Sequence, residues 1–115
     1  MTLPTTLELD EYGYPHDEWL ASIRDARPAM ADAAQWMRET LPDLVSKVGY
    51  GRVTMDFFPQ AEHSVYELRI ATGGWSGMED LMDAITGNWR LMYFWESTHR
   101  GGLYVFRVPV RRVEG

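Results

Sequence analysis

The chain has 115 residues, no cysteine and a formal net charge of −6, and its composition is 45% hydrophobic with five Trp, six Tyr and four Phe. That length suits one domain spanning residues 1–115, able to bury enough apolar surface to offset chain entropy without a metal or disulfide staple. The missing thiols exclude a disulfide framework, a thiolate metal site and a Cys nucleophile, and the acidic balance opposes general nucleic-acid binding, which draws on cationic neutralisation of phosphates.

Charge is unevenly placed. Residues 1–48 hold nine acids against four bases, whereas Arg100 to Arg112 holds four arginines and no acid, so the two ends attract one another within one fold or between copies. The opening MTLPTTLELDEYGYPHDEW lacks a basic segment followed by an apolar one, and no run of about 18 uncharged apolar residues occurs. A cytoplasmic chain with no membrane partner is expected, its residues 1–13 loosely ordered.

After Tyr14-Pro15, PHDEWLASIRD reads as a short helix with Asp17 and Glu18 early and Arg24 late, as the helix dipole favours. A second helix is predicted from Pro28 to Leu41, with Met30, Ala33, Ala34, Met37 and Leu41 on one face and Pro42 just past its end. From Tyr50 the period changes to two. RVTMDFF alternates Val53, Met55 and Phe57 with Thr54 and Asp56, SVYELRI alternates Tyr66, Leu68 and Ile70 with Glu67 and Arg69, and PQAEH connects them as a hairpin. Glu62 and His63 fall in that solvated turn.

A helix over about 77–86 follows, with Met78, Leu81, Met82 and Ile85 on one stripe and Gly87 suited to a left-handed stop. WRLMYFWES and LYVFRVPV are then predicted as strands, joined through THRGG, whose glycines supply positive φ. The predicted fold class is α+β: order α-α-β-β-α-β-β, a mostly antiparallel four-stranded sheet packed with helices.

The stretch TGGWSG, Thr72 to Gly77, admits three chemistries. A nucleophile elbow requires Gly-x-Ser-x-Gly, and Met78 occupies the last position. A phosphate loop requires a Lys and Ser/Thr that are absent. SGME fits a capping box, in which Ser76 accepts from the Glu79 amide and Glu79 reaches back to the Ser76 amide; on this reading Ser76→Ala removes a cap worth about 1 kcal/mol. Capping leaves Trp75 unexplained: a core or lid aromatic, or a ring covering a small anion at the helix N-terminus.

His16, His63 and His99 are isolated, so neither a metal nor a cofactor is expected. Glu96, Ser97, Thr98, His99 and Arg100 concentrate polar groups at the second hairpin turn. The candidate binding residues are therefore Trp75, Glu96, His99 and Arg100, with no catalytic residue assigned. With Met92 and Phe94 on the opposite face of a strand from Trp89, Leu91, Tyr93 and Trp95, both sheet faces are apolar, and a homodimer is expected.

Residues 72–108, with TGGWSGMEDL, NWRLMYFWES and RGGLYVFRV, resemble a group of small uncharacterised bacteriophage and prophage proteins. The signature of that group runs Gly-Trp-Ser-Gly-x-Glu, an aromatic strand, then Arg-Gly-Gly-x-Tyr-x-Phe. It maps here onto Gly74, Trp75, Ser76, Gly77, Glu79, Arg100, Gly101, Gly102, Tyr104 and Phe106. The resemblance implies a phage-type protein in a bacterial host cytosol and carries no activity with it. Two functions are compatible with these features. One is a non-enzymatic interaction protein that binds a host or phage protein; the other is a small-ligand binder, for an anionic or nucleotide-like molecule, or an enzyme, using the Trp75 loop and the His99-Arg100 turn. A concave pocket lined by Trp75 and an arginine distinguishes the second.

Overall fold

The computed structural model describes residues 3–59 and 64–110; Glu62 and His63 lie outside them. Helices α1 (Asp17–Arg24), α2 (Met30–Gln35) and α3 (Leu41–Lys47) precede strands β1 (Arg52–Phe58) and β2 (Ser64–Ala71). Then come α4 (Ser76–Thr86), α5 (Trp89–Met92), β3 (Trp95–His99) and β4 (Leu103–Val110). The fold is α+β, with the elements in the predicted order.

The sheet runs β1-β2-β4-β3 and is antiparallel throughout. Its registers place Met55 opposite Leu68 and Leu68 opposite Phe106, so one face carries Val53, Met55, Phe57, Tyr66, Leu68, Ile70, Tyr104, Phe106 and Val108. Leu68, Ile70, Phe106 and Val108 are fully buried together with Ile23, Met37, Leu41, Leu44, Leu81 and Ile85 of the helices. Period-two and period-3.6 stripes meet there to form one core. The opposite face carries the charged residues of the strands, Arg52, Asp56, Glu67, Arg69 and Arg107, together with Phe58, Val65 and Val105. On it Glu67, only 6% exposed, is held by Arg69 at 2.9 Å and by its cross-strand partner Arg107 at 3.3 Å.

Four local expectations are overturned. The second helix does not stop before Pro42. A π-helical turn, Trp36–Thr40, links α2 to α3, and Pro42 sits in the first turn of α3. The wider turn takes the chain out of i→i−4 register just where the proline lacks its donor, so helix resumes beyond it. Within residues 1–13, expected to be loosely ordered, Pro4 and Thr6 are fastened by two indoles: Trp36 Nε1 donates to the Pro4 carbonyl and Trp19 Nε1 to that of Thr6, each at 2.7 Å. Both indoles are buried in helices whose own carbonyls are engaged, so the extended segment supplies the acceptors. Gly87 is right-handed, with φ −76°.

The fourth correction concerns WRLMYFWES, whose first half is helical. Asn88, 1% exposed, accepts the Arg90 amide at 3.0 Å and caps α5. Its Nδ2 donates to the carbonyls of Ile23 at 2.8 Å and Ala26 at 3.0 Å. This fixed cap outweighs the strand preference of the aromatic residues that follow. Leu91 and Phe94 are consequently buried, Met92 is half-buried, and Trp89, Tyr93 and Trp95 are exposed. The two-faced strand that motivated the homodimer expectation is absent, and that expectation loses its geometric basis.

Asn88→Ala removes one donor from each of two carbonyls, leaving Ile23 with the Ala26 amide at 3.4 Å and Ala26 with Arg27 Nη1 at 3.1 Å, and uncaps α5. We expect a loss of about 2–3 kcal/mol in urea unfolding, and Asn88→Asp, which keeps the acceptor and loses the donors, to recover only part of it.

Candidate functional site

The stretch TGGWSG lies at the end of the sheet where β2 leaves and β4 enters. Thr72 is buried; its amide donates to the Gly102 carbonyl at 3.0 Å, and its hydroxyl accepts the Gly74 amide at 3.2 Å. Gly102 has φ +83°, and a Cβ there would run into the Thr72 hydroxyl. The Trp75 turn and the β3–β4 turn are thus interlocked through backbone, an adjacency that strand pattern alone left open.

Gly73 and Gly74 take φ +66° and +75°, carrying the chain sharply out of β2. A Cβ on Gly73 would stand 2.8 Å from the Tyr50 carbonyl oxygen. Trp75 then precedes α4 in extended conformation and is itself the N-cap position. Its ring lies against Tyr14, with centroids 4.8 Å apart, and Tyr50 at 5.9 Å, both tilted. The same ring covers Gly77, where a Cβ would overlap it.

This geometry corrects the capping box. Ser76 is the first residue of α4 rather than its cap, no side chain caps the helix, and the Glu79 amide donates to the Trp75 carbonyl. The Ser76 hydroxyl instead donates to the Tyr14 hydroxyl at 3.2 Å. The motif therefore organises an aromatic cluster.

Tyr14 arrives from a tight loop in which Asp10 Oδ1 accepts the amides of Tyr12 and Tyr14 at 2.9 Å each, with Gly13 at φ +85° and Leu9 bridging to Pro15. Tyr12, at its tip, is exposed. Tyr50 is 74% exposed and is the one non-glycine residue at positive φ, +65°, among the described residues. A bulky side chain there is backbone strain maintained by its surroundings, here by the Gly73 approach and the Trp75 ring.

The other candidate residues lie toward the opposite edge of the sheet. Glu96 is exposed at the bulge between Trp95 and Ser97, His99 ends β3 with Nε2 2.9 Å from Ser97 Oγ, and Arg100 is exposed in the turn beside Gly101 at φ +93°. His99 and Arg100 share one end of the sheet with Trp75, whereas Glu96 lies farther along β3, beside the Trp95–Phe106 pair, and the Trp75 ring packs on Tyr14 and Tyr50. Among the described residues no cation–π contact joins it to Arg100. Sequence reasoning missed Tyr14 and Tyr50, although Tyr50 between Gly49 and Gly51 was a signal of unusual backbone.

A cavity of about 310 Å³ opens elsewhere, between the N-terminal segment and the π-helical turn, lined by Leu3, Pro28, Asp32, Trp36 and Glu39 among others; neither Trp75 nor an arginine lines it. No cluster of His, Asp and Glu able to hold a metal occurs among the described residues, and no helix there is long and apolar enough to cross a membrane. The chain matches no protein-family model, no curated protein and no solved structure.

Behind the turn, burial first, then the carboxylates of Asp83 and Glu79, hold the Tyr104 phenol above its ordinary range. The folded chain keeps this proton more tightly than the unfolded one, so the associated stability is complete below about pH 10 and is lost as pH rises through the raised folded value. Tyr104→Phe is expected to flatten that alkaline decline in the urea midpoint. For the turn itself, Ser76→Ala is expected to change unfolding free energy by less than about 0.5 kcal/mol, whereas Gly77→Ala, forced against the Trp75 ring, costs about 1–3 kcal/mol.

Proposed function

We propose that this chain is a non-enzymatic binding protein that engages another protein through the end of the sheet bearing the Trp75 turn. The working surface comprises Trp75 with Tyr14 and Tyr50, continued across the Thr72–Gly102 link by Glu96, His99 and Arg100. The observation that carries this reading is Tyr50: an exposed aromatic ring held at positive φ beside a half-buried tryptophan. Aromatic anchors fixed on a rigid scaffold lose little entropy when a partner covers them, and Trp, Tyr and Arg are the residues that most often dominate interfaces. The resemblance of residues 72–108 to small bacteriophage and prophage proteins supports a host or phage protein as the partner, met in the bacterial cytosol.

The small-ligand or enzymatic alternative draws on the contact between Ser97 and His99. That pair is on an edge strand, with His99 exposed and, among the described residues, no carboxylate bonded to its ring. A serine nucleophile works with a base that is itself oriented by a third group, and the binding reading accounts for more of the surface.

The test is capture of proteins from a bacterial lysate on the immobilised full chain, compared with Tyr50→Gly and Arg100→Ala. Tyr50→Gly removes the ring and relieves the backbone, so circular dichroism and urea stability are expected to be retained while the captured partner falls at least about tenfold. Undiminished capture by both folded variants would sink the assignment, and substrate turnover abolished by His99→Ala would establish the alternative.

A further inference from the structure

The sheet ends in two edges of different character. β3 is five residues long and is interrupted by the bulge between Trp95 and Ser97. β1 runs seven residues in unbroken register with β2, contains no lysine or proline, and exposes every residue except half-buried Val53. Bulges, short length, lysine and proline are the usual protections of an edge, and β1 has none of them. It also keeps apolar side chains in water, Met55 and Phe57 on the face that elsewhere carries the core.

We infer that β1 pairs antiparallel with β1 of a second copy of this chain, about a two-fold axis at Thr54, joining the two sheets into one. The register follows from charge. With Thr54 opposite its own copy, Arg52 of each chain stands opposite Asp56 of the other, which makes two opposite-charge cross-strand pairs on the polar face. On the apolar face Val53 meets the second copy's Met55 twice. Each Phe57 falls opposite the second copy's Gly51. Gly51 is kept small by its own chain, since a Cβ there would stand 2.7 Å from Met78 Sδ. An axis at Met55 instead sets Arg52 opposite Phe58 and leaves both charges without an opposite partner. This interface uses the β1 edge and rests on its own register and charges; it adjoins the surface assigned to the binding partner at Tyr50, which precedes β1.

Charge reversal tests it by sedimentation velocity at micromolar concentration. The unaltered chain is expected to sediment as a dimer. Arg52→Asp and Asp56→Arg, each placing like charges opposite one another, are expected to weaken dimerisation at least about tenfold while retaining native circular dichroism. An equimolar mixture of the two variants restores opposite charges in both pairs and is expected to recover the dimer. Because the chain has no cysteine, Thr54→Cys supplies a single thiol that is expected to oxidise to a covalent dimer, whereas Met55→Cys lies across from Val53 and does not. A single-chain mass for the unaltered protein, a dimer indifferent to both reversals, or cross-linking through Met55→Cys in place of Thr54→Cys would each overturn the proposal.

Discussion

One buried amide sets the relation between the layers. The last carbonyls of a helix lack the i+4 donors of its interior; at the end of α1 Ile23 receives the Ala26 amide at a long 3.4 Å, and just past it Ala26 receives Arg27 Nη1 at 3.1 Å. Asn88 supplies both N–H groups to Ile23 and Ala26 and turns its oxygen to the start of α5. A single side chain thus closes one helix and opens another. Because α1 also packs on α4, that fastening fixes how far the chain travels beyond α4 before it descends into β3. The position of the β3–β4 turn, and with it His99 and Arg100, depends on this descent.

The Trp75 stretch has a comparable economy. Its glycines answer different steric demands: Gly73 and Gly74 the reversal out of β2, Gly77 the ring laid across it, and Gly102 the close approach of Thr72. What resembles a catalytic or phosphate-binding loop in one dimension is, in three, a seat for Trp75 between two tyrosines. The serine at its centre is exposed, and among the described residues its hydroxyl is bonded only to Tyr14.

Patterns imposed by contact with one core were legible in the sequence. Leu68 and Ile70 alternate with Glu67 and Arg69 because a strand presents every second residue to the helices, and Met78, Leu81, Met82 and Ile85 recur because a helix presents one stripe. Features that depend on distant partners were not legible. The helical start at Trp89 rests on an asparagine fixed by carbonyls more than sixty residues earlier, and the passage through Pro42 rests on a π turn that no local propensity announces. The same holds for the site. Trp75 stood out as a ring its helix start did not need, but Tyr14, whose hydroxyl meets Ser76 across sixty-two residues of chain, joins it only through the fold.

The ion cluster on the polar face of the sheet has a further consequence. Glu67 stands between Arg69 and Arg107, Arg52 shares that face with Asp56, and Glu96 lies on β3, so the strands carry three cations and three carboxylates although the chain is acidic. The exposed carboxylates of Asp17, Glu18, Asp32, Glu39, Asp43, Glu79, Asp80 and Asp83 belong to the helical layer. Against them the helices set Arg24, Arg38, Lys47 and Arg90, so the acidic excess of these elements lies in the helical layer and the sheet beside it is balanced. An anionic surface approaching by diffusion is repelled by the helices more than by the sheet, at low ionic strength more than at high.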